Sequence, residues 1–371
     1  LFFTASFNLI IPELNDFLSS LDGASLISWL IGLFTISAGI SRPFSGKLAD
    51  KIGRKKVMYI GIGIAIVICL LYPYSTTIWF LLTLRFLHGF SAGFFPTGAT
   101  ALITDILPET LRGKGMGIFG TFISLGIGLG QAFSSISADY LGINGMFYAS
   151  SGLSIIALLF LLRVEETLEK PLPFKLEMLS IKSDEIIERN VAPVAIVMFL
   201  SASCSGIIFV LSPEIAKYLH IPDKGWFFLW YVISTIGVRL FMGKISDRIG
   251  RRETLLIGMI LLVISMVTIG LATNKLWFTL SSVLFGVATG VSSPTIFAWT
   301  ADLSPFHRRG IGAGTMFIAL EFGILFGSIV TNVLYTSKFN SILNVYLFGG
   351  TMALLCVVYL IWHLLRRPSA T

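Results

Sequence analysis

Eleven residues of this chain occur twice, as Gly46-Lys-Leu-Ala-Asp50-Lys-Ile-Gly53-Arg54-Lys-Lys56 and as Gly243-Lys-Ile-Ser-Asp247-Arg-Ile-Gly250-Arg251-Arg-Glu253, in a register of 197 residues from Gly46 to Gly243. The same register pairs Arg42 with Arg239, Asp105 with Asp302, Pro108 with Pro305, Arg112 with Arg309 and Gly113 with Gly310. A spacing kept over so many charged and turn-forming residues marks a duplicated unit. Each copy of the loop joins two long apolar segments, so the unit is a bundle of membrane helices. Composition agrees: 55% of the residues are apolar and only 13% charged, about half the charged share of a soluble domain.

Apolar runs long enough to cross a bilayer are expected near 1–18, 25–47, 57–74, 78–101, 113–138 and 143–163. A second set follows near 191–216, 225–245, 254–273, 275–298, 310–336 and 341–365. The fold class is therefore all-α and polytopic, with twelve transmembrane helices in two pseudo-symmetric six-helix bundles. The N-terminal bundle covers 1–163 and the C-terminal bundle 191–371, joined by a polar cytoplasmic linker over 164–190. Lysine and arginine crowd the even-numbered connections and the C-terminal end, while Lys217, Lys224, Lys275 and Lys338 lie on the other face. By the positive-inside rule both termini are cytoplasmic, and the net charge of +7 is a topology signal that calls for lipid headgroups rather than nucleic acid. Lys47, Lys51, Lys55 and Lys56 read as solvated members of that signal, and Arg42 and Arg239 as side chains that snorkel to the membrane edge. Cys69, Cys204 and Cys356 have no paired or metal-ligand spacing and read as small buried hydrophobes. The chain starts at Leu1, inside an apolar helix and without a methionine, so the true N-terminus is expected to lie upstream.

The repeated loop has a mechanical reading of its own. Gly46 and Gly243 allow close helix approach, and Gly53 and Gly250 can take the positive φ that turns a short loop. Asp50 and Asp247 are placed to neutralise the positive end of a helix dipole, the available N-termini being those of spans eleven and five.

These residues resemble the signature of the major facilitator superfamily, and twelve spans in a six-plus-six order extend the resemblance over the whole chain. Arg85-Phe-Leu-His88-Gly89-Phe-Ser-Ala-Gly93 in span four, and Val164-Glu165-Glu166-Thr167-Leu168 after span six, are similar to elements of the drug and metabolite proton antiporters. Gly126-Ile-Gly128-Leu-Gly130-Gln131 departs from that subgroup's span-five pattern, which continues with proline. The resemblance implies a conformational latch made by Gly46, Asp50, Gly53, Arg54, Asp105, Arg112, Gly243, Asp247, Gly250, Arg251, Asp302 and Arg309, with Arg54 and Arg251 linking to Asp105 and Asp302. It also implies a central cavity with Phe7, Asn8, Arg85, His88, Gln131, Ser201, Ser205, Phe209, Phe285 and Glu321 as contributors.

An ionisable group at the bilayer centre costs about 2.5–3.5 kcal/mol, so each one should face protein or water and serve a purpose. Glu321, halfway along span eleven, is the first candidate for a proton-coupling carboxylate. Arg85 and His88 are candidates to assist it, each with an ordinary packing or hydrogen-bonding role as the rival reading. Intramembrane charge is scarce, which points to a neutral, zwitterionic or singly charged substrate. The chain is thus expected to be a secondary transporter, not an enzyme, that exports a small organic molecule against protons. It would act as a monomer in a bacterial inner membrane, without a cofactor. Uptake by symport or facilitated diffusion is the alternative within transport, and a non-transporting sensor that keeps the fold is the alternative outside it.

Overall fold

The computed structural model describes residues 1–23, 26–221, 226–336 and 339–365. Twelve long α-helices account for most of them: α1 (Phe2–Ser19), α2 (Ile27–Lys51), α3 (Arg54–Leu71), α4 (Ile78–Ile106), α5 (Arg112–Ala132), α6 (Ser134–Leu162), α7 (Ala192–Tyr218), α8 (Trp226–Ile249), α9 (Arg251–Gly270), α10 (Lys275–Leu303), α11 (Arg309–Leu334) and α12 (Phe339–Leu365). Eight of these, α3, α4, α6, α7 and α9 to α12, contain stretches long and apolar enough to cross a membrane, and Phe2–Leu14 and Trp226–Arg239 are shorter apolar stretches in α1 and α8. Helices rather than strands follow from the solvent, because in lipid each backbone N–H and C=O must find its partner within the segment or a closed barrel.

The helix ends are written locally. The Thr77 side chain accepts a hydrogen bond from the Phe80 amide and caps α4. Pro108 and Pro305 each open a short 3-10 turn, Glu109–Leu111 and Phe306–Arg308, from which α5 and α11 start. Gly142 interrupts the helical path of α6 at φ +70, a conformation that glycine reaches at little cost. The connection expected near residue 140 is therefore a break within one helical stretch, and span five ends earlier, at Ala132.

The chain forms two compact units. The first contains residues 1–107, 122–192 and 303–318, and the second residues 108–121, 193–302 and 319–371. In the first unit α4 packs on α2 and α3, and α6 on α1 and α3. Leu9, Ile10, Leu14, Leu30, Ile68, Tyr72, Leu84, Met146 and Phe147 form part of its buried apolar core. α5 crosses α1 where Gly126 and Gly130 face the carbonyls of Leu1 and Ala5, at positions where an added methyl would overlap backbone. In the second unit α9 packs on α12. There Gly323 and Gly327 of α11 face the carbonyls of Phe199 and Ser203 on α7 in the same way. Small-residue spacing thus builds the same crossing twice.

Candidate functional site

Two sets of polar residues stand out. The first lies at the ends of the helices that bear the repeated loop. Asp50, in the last turn of α2, accepts hydrogen bonds from the Gly310 amide (2.8 Å) and the Ile311 amide (2.9 Å) at the start of α11. Those amides are among the donors that a helix N-terminus leaves unpaired, so one carboxylate both satisfies them and meets the dipole. Close approach makes this contact possible, since a methyl on Gly46 would sit 3.0 Å from the Gly310 carbonyl oxygen. Arg54 then bridges Asp50 (2.8 Å) and Asp105 (3.1 Å), and Arg309 reaches the other Asp105 oxygen at 2.7 Å. All these atoms belong to the first unit.

The second unit holds the matching cluster. Asp302 accepts from Arg251 at 2.8 Å and from Arg112 at 3.0 Å, as Asp105 does from Arg54 and Arg309. Gly243 and Asp247 lie in α8, and their side chains are outside what the structure describes. Arg42 and Arg239 complete the repetition, and they correct the snorkelling expectation. Arg42 is buried, donates to the Gly93 carbonyl (3.1 Å) and the Thr97 hydroxyl (3.0 Å), and stacks over the Phe317 ring at 4.2 Å. Arg239 is buried too and donates to the Gly120 carbonyl and the Ser293 hydroxyl. Phe317 and Gly120 are themselves one repeat apart, so the two arginines face equivalent positions of α11 and α5.

The polar linker takes part in the first cluster. Lys47 is not solvated: it is buried and bonds to the Ser180 carbonyl (2.8 Å) and to Glu185 (2.7 Å). The Leu172 amide donates to the Lys51 carbonyl, and the Glu188 amide donates to the Thr315 hydroxyl. Glu166, which the sequence reading gave no mechanical role, caps α3. Its carboxylate accepts from the amides of Arg54 (2.9 Å) and Lys55 (3.0 Å) and fills the space beside Gly53. The sequence signal for it is a first turn of Arg54-Lys55-Lys56 with no acid, where the second copy carries its own Glu253 in the first turn of α9.

Gly53 has φ +126, and a methyl there would also strike the Glu166 carboxylate. Gly53→Ala is therefore expected to cost about 1–3 kcal/mol of stability, seen as a lower melting temperature in detergent. Glu166→Ala should lose part of the same energy, so the double variant should fall short of the sum. Fully additive losses would show that the cap and the turn act separately.

The second set lies among the apolar helices. Asn8 of α1 donates to the Thr4 carbonyl (2.9 Å) and accepts from Gln131 of α5 (3.2 Å), so the structure joins these two expected cavity residues. Phe7 is half-buried with its ring 5.9 Å from Phe34, and Phe34 in turn meets both Arg85 and His88. Phe34 and Tyr72 belong to this group, and sequence reasoning missed them because an aromatic in an apolar run carries no distinguishing pattern. In the second unit Phe285 is buried against Tyr231 and Phe227, with centroids at 5.4 and 5.9 Å. Ser201 donates to the Met198 carbonyl of its own helix, Ser205 is half-buried, and Phe209 stacks on Phe228. Glu321 lies in the middle of α11, half-buried. A cavity of about 520 Å³ in the first unit is lined by Leu26, Trp29, Leu33, Trp79, Leu82, Thr83 and Phe86, and none of the expected cavity residues lines it.

Twelve helices, a doubled charged loop with equivalent ion clusters, and isolated polar groups in apolar helices define a polytopic membrane transporter. The sequence matches the Major Facilitator Superfamily over residues 1–192 and 194–371, and the chain belongs to that family. It is 29% identical over 318 residues to the multi-drug resistance efflux pump PmrA of Streptococcus pneumoniae, covering 81% of this chain and 78% of that protein. It is likewise 29% identical over 312 residues to the multidrug resistance protein MdtG of Salmonella typhi, covering 79% and 76%. Among solved structures the fold is similar to the human organic anion transporter MFSD10, with a TM-score of 0.84 at 19% identity over 97% of this chain and 96% of that one. It is also similar to the proton:xylose symporter XylE, with a TM-score of 0.79 at 15% identity over 98% and 93%.

Proposed function

We propose that this chain exports a small organic molecule in exchange for protons, by alternating access, in a bacterial inner membrane with its basic end in the cytoplasm. The observation that carries the reading is the pair of equivalent ion clusters built around the repeated loop, one in each unit. Each ties residues far apart in sequence, Asp50 to Gly310 and Arg112 to Asp302, through contacts that a small change in free energy can make or break. Individual contacts of this kind contribute about 0.3–2 kcal/mol, and a transporter's two states differ by only a few kcal/mol. Several together bias the equilibrium without freezing it. The efflux named for PmrA supports the outward direction, and Glu321 supplies a carboxylate in the middle of α11 as the proton carrier.

The test is flux in proteoliposomes carrying a trapped pH-sensitive dye, with known substrates of multidrug pumps as probes. Antiport predicts that substrate added outside moves protons opposite to itself. Protons moving with the substrate would establish symport, and binding without vectorial flux would establish a sensor.

A further inference from the structure

The first unit contains a buried cation, Arg85, that no described carboxylate of the unit neutralises. Arg85 of α4 is 2% exposed, and its Nε donates to the Leu30 carbonyl at 3.2 Å. The guanidinium lies 4.5 Å above the Phe34 ring, and one of its terminal nitrogens has no partner. No carboxylate pairs with it among the described residues. One helical turn away, His88 is fully buried and shares a 3.2 Å hydrogen bond between its Nδ1 and the Tyr72 hydroxyl. Its Nε2 is also without a partner.

The orientation of that hydrogen bond follows from charge. The Arg85 cation is an electrostatic neighbour of the Tyr72 hydroxyl, so the hydroxyl oxygen is drawn toward it and the hydroxyl proton is directed to His88 Nδ1. The ring hydrogen then resides on Nε2. Arg85 and His88 therefore hold two unsatisfied donors on one face of α4, one of them formally charged. Phe34 packs against both, its ring edge-on to His88 at 5.8 Å, and it also meets the half-buried Phe7. Leaving two donors unpaired away from water, one of them charged, is expensive, and an anionic guest removes that cost.

We propose that Arg85 and His88 bind one monoanionic group, the carboxylate of the transported molecule, admitted when the Phe34 ring swings aside. The proposal rests on the transport reading and narrows its substrate class to monocarboxylates with an apolar body suited to the aromatic surroundings. A guanidinium holds a carboxylate through charge-assisted, fork-shaped contacts that an uncharged amide cannot reproduce. A free inorganic anion such as chloride offers the same charge without the apolar body.

Binding to the purified full chain, read by tryptophan fluorescence or thermal shift, tests this with benzoate, benzamide and chloride as probes. Benzoate is expected to bind and benzamide to bind at least about tenfold more weakly. Arg85→Gln should lose benzoate binding by a similar factor, and Arg85→Lys by less. His88→Gln, which keeps a donor, should bind benzoate better than His88→Leu. Melting of each unliganded variant controls for folding: removing an uncompensated charge should leave it unchanged or raised, whereas a merely structural arginine would lower it. Equal binding of benzoate and benzamide, or unchanged binding by Arg85→Gln, would overturn the proposal. So would chloride saturating the site at the affinity of benzoate, because the guest would then be an inorganic ion. Vectorial flux of neutral drugs with no benzoate binding would sink this site alone, and benzoate binding with no flux of any probe would sink transport alone.

Discussion

Glu321→Gln is expected to abolish uphill transport while leaving downhill exchange. A proton gradient of one pH unit can drive about a tenfold accumulation of substrate per coupled proton, because the same 1.4 kcal/mol is stored in both. Without a group that loads and releases that proton the accumulation ratio should fall to one. Glutamine keeps the size and polarity of the side chain at the middle of α11 but removes its titration. Counterflow of labelled substrate in proteoliposomes, run with and without an imposed gradient, separates the two effects. Full gradient-driven accumulation by the variant would remove Glu321 from the coupling mechanism.

Asp50→Asn is expected to release the start of α11 from the end of α2. Two amides at the start of α11 and the Arg54 guanidinium converge on this carboxylate. An asparagine offers one acceptor oxygen and presents an N–H₂ group where the amides and the guanidinium also donate. Losing a charge-assisted hydrogen bond costs about 1.5–3 kcal/mol, so the ratio of joined to released contact between α2 and α11 should fall roughly 10- to 150-fold. Turnover should drop because the resting state shifts, while membrane insertion and expression stay unchanged. A variant with normal turnover would show that the cluster is a passive consequence of topology.

What the sequence made legible, and what it did not, divides along one physical line. Period and register are one-dimensional properties, so the apolar runs marked the twelve helices in order, and the repeat marked the equivalence of Arg54 and Asp105 with Arg251 and Asp302. Partners contributed by distant segments are not. Lys47 looked like one more solvated lysine because its counter-ion, Glu185, comes from a linker with no pattern of its own. Glu166 was noticed as part of a typical run, but its capping of α3 needs the geometry of the turn at Gly53. Arg42 and Arg239 share the repeat register with several topology residues, and only their partners on other helices, Gly93 and Thr97 for one and Gly120 and Ser293 for the other, place them inside. Phe34 and Tyr72 were invisible among so many aromatics, and only their contact with Arg85 and His88 distinguishes them. Ser201, Ser205 and Phe209 remain expectations of the family resemblance, with no contact that sets them apart from ordinary helix side chains.

The most direct test of the account is a distance measurement across the Asp50 cluster. In a background with the three native cysteines replaced, spin labels on Lys51→Cys and His307→Cys, both at exposed positions flanking the contact between α2 and α11, report whether that contact opens. The account predicts a short distance at rest, a second and longer population when substrate or a proton gradient is supplied, and a shift to the longer distance in Asp50→Asn. A single distance that stays fixed in every condition, while the labelled protein still transports, would contradict it.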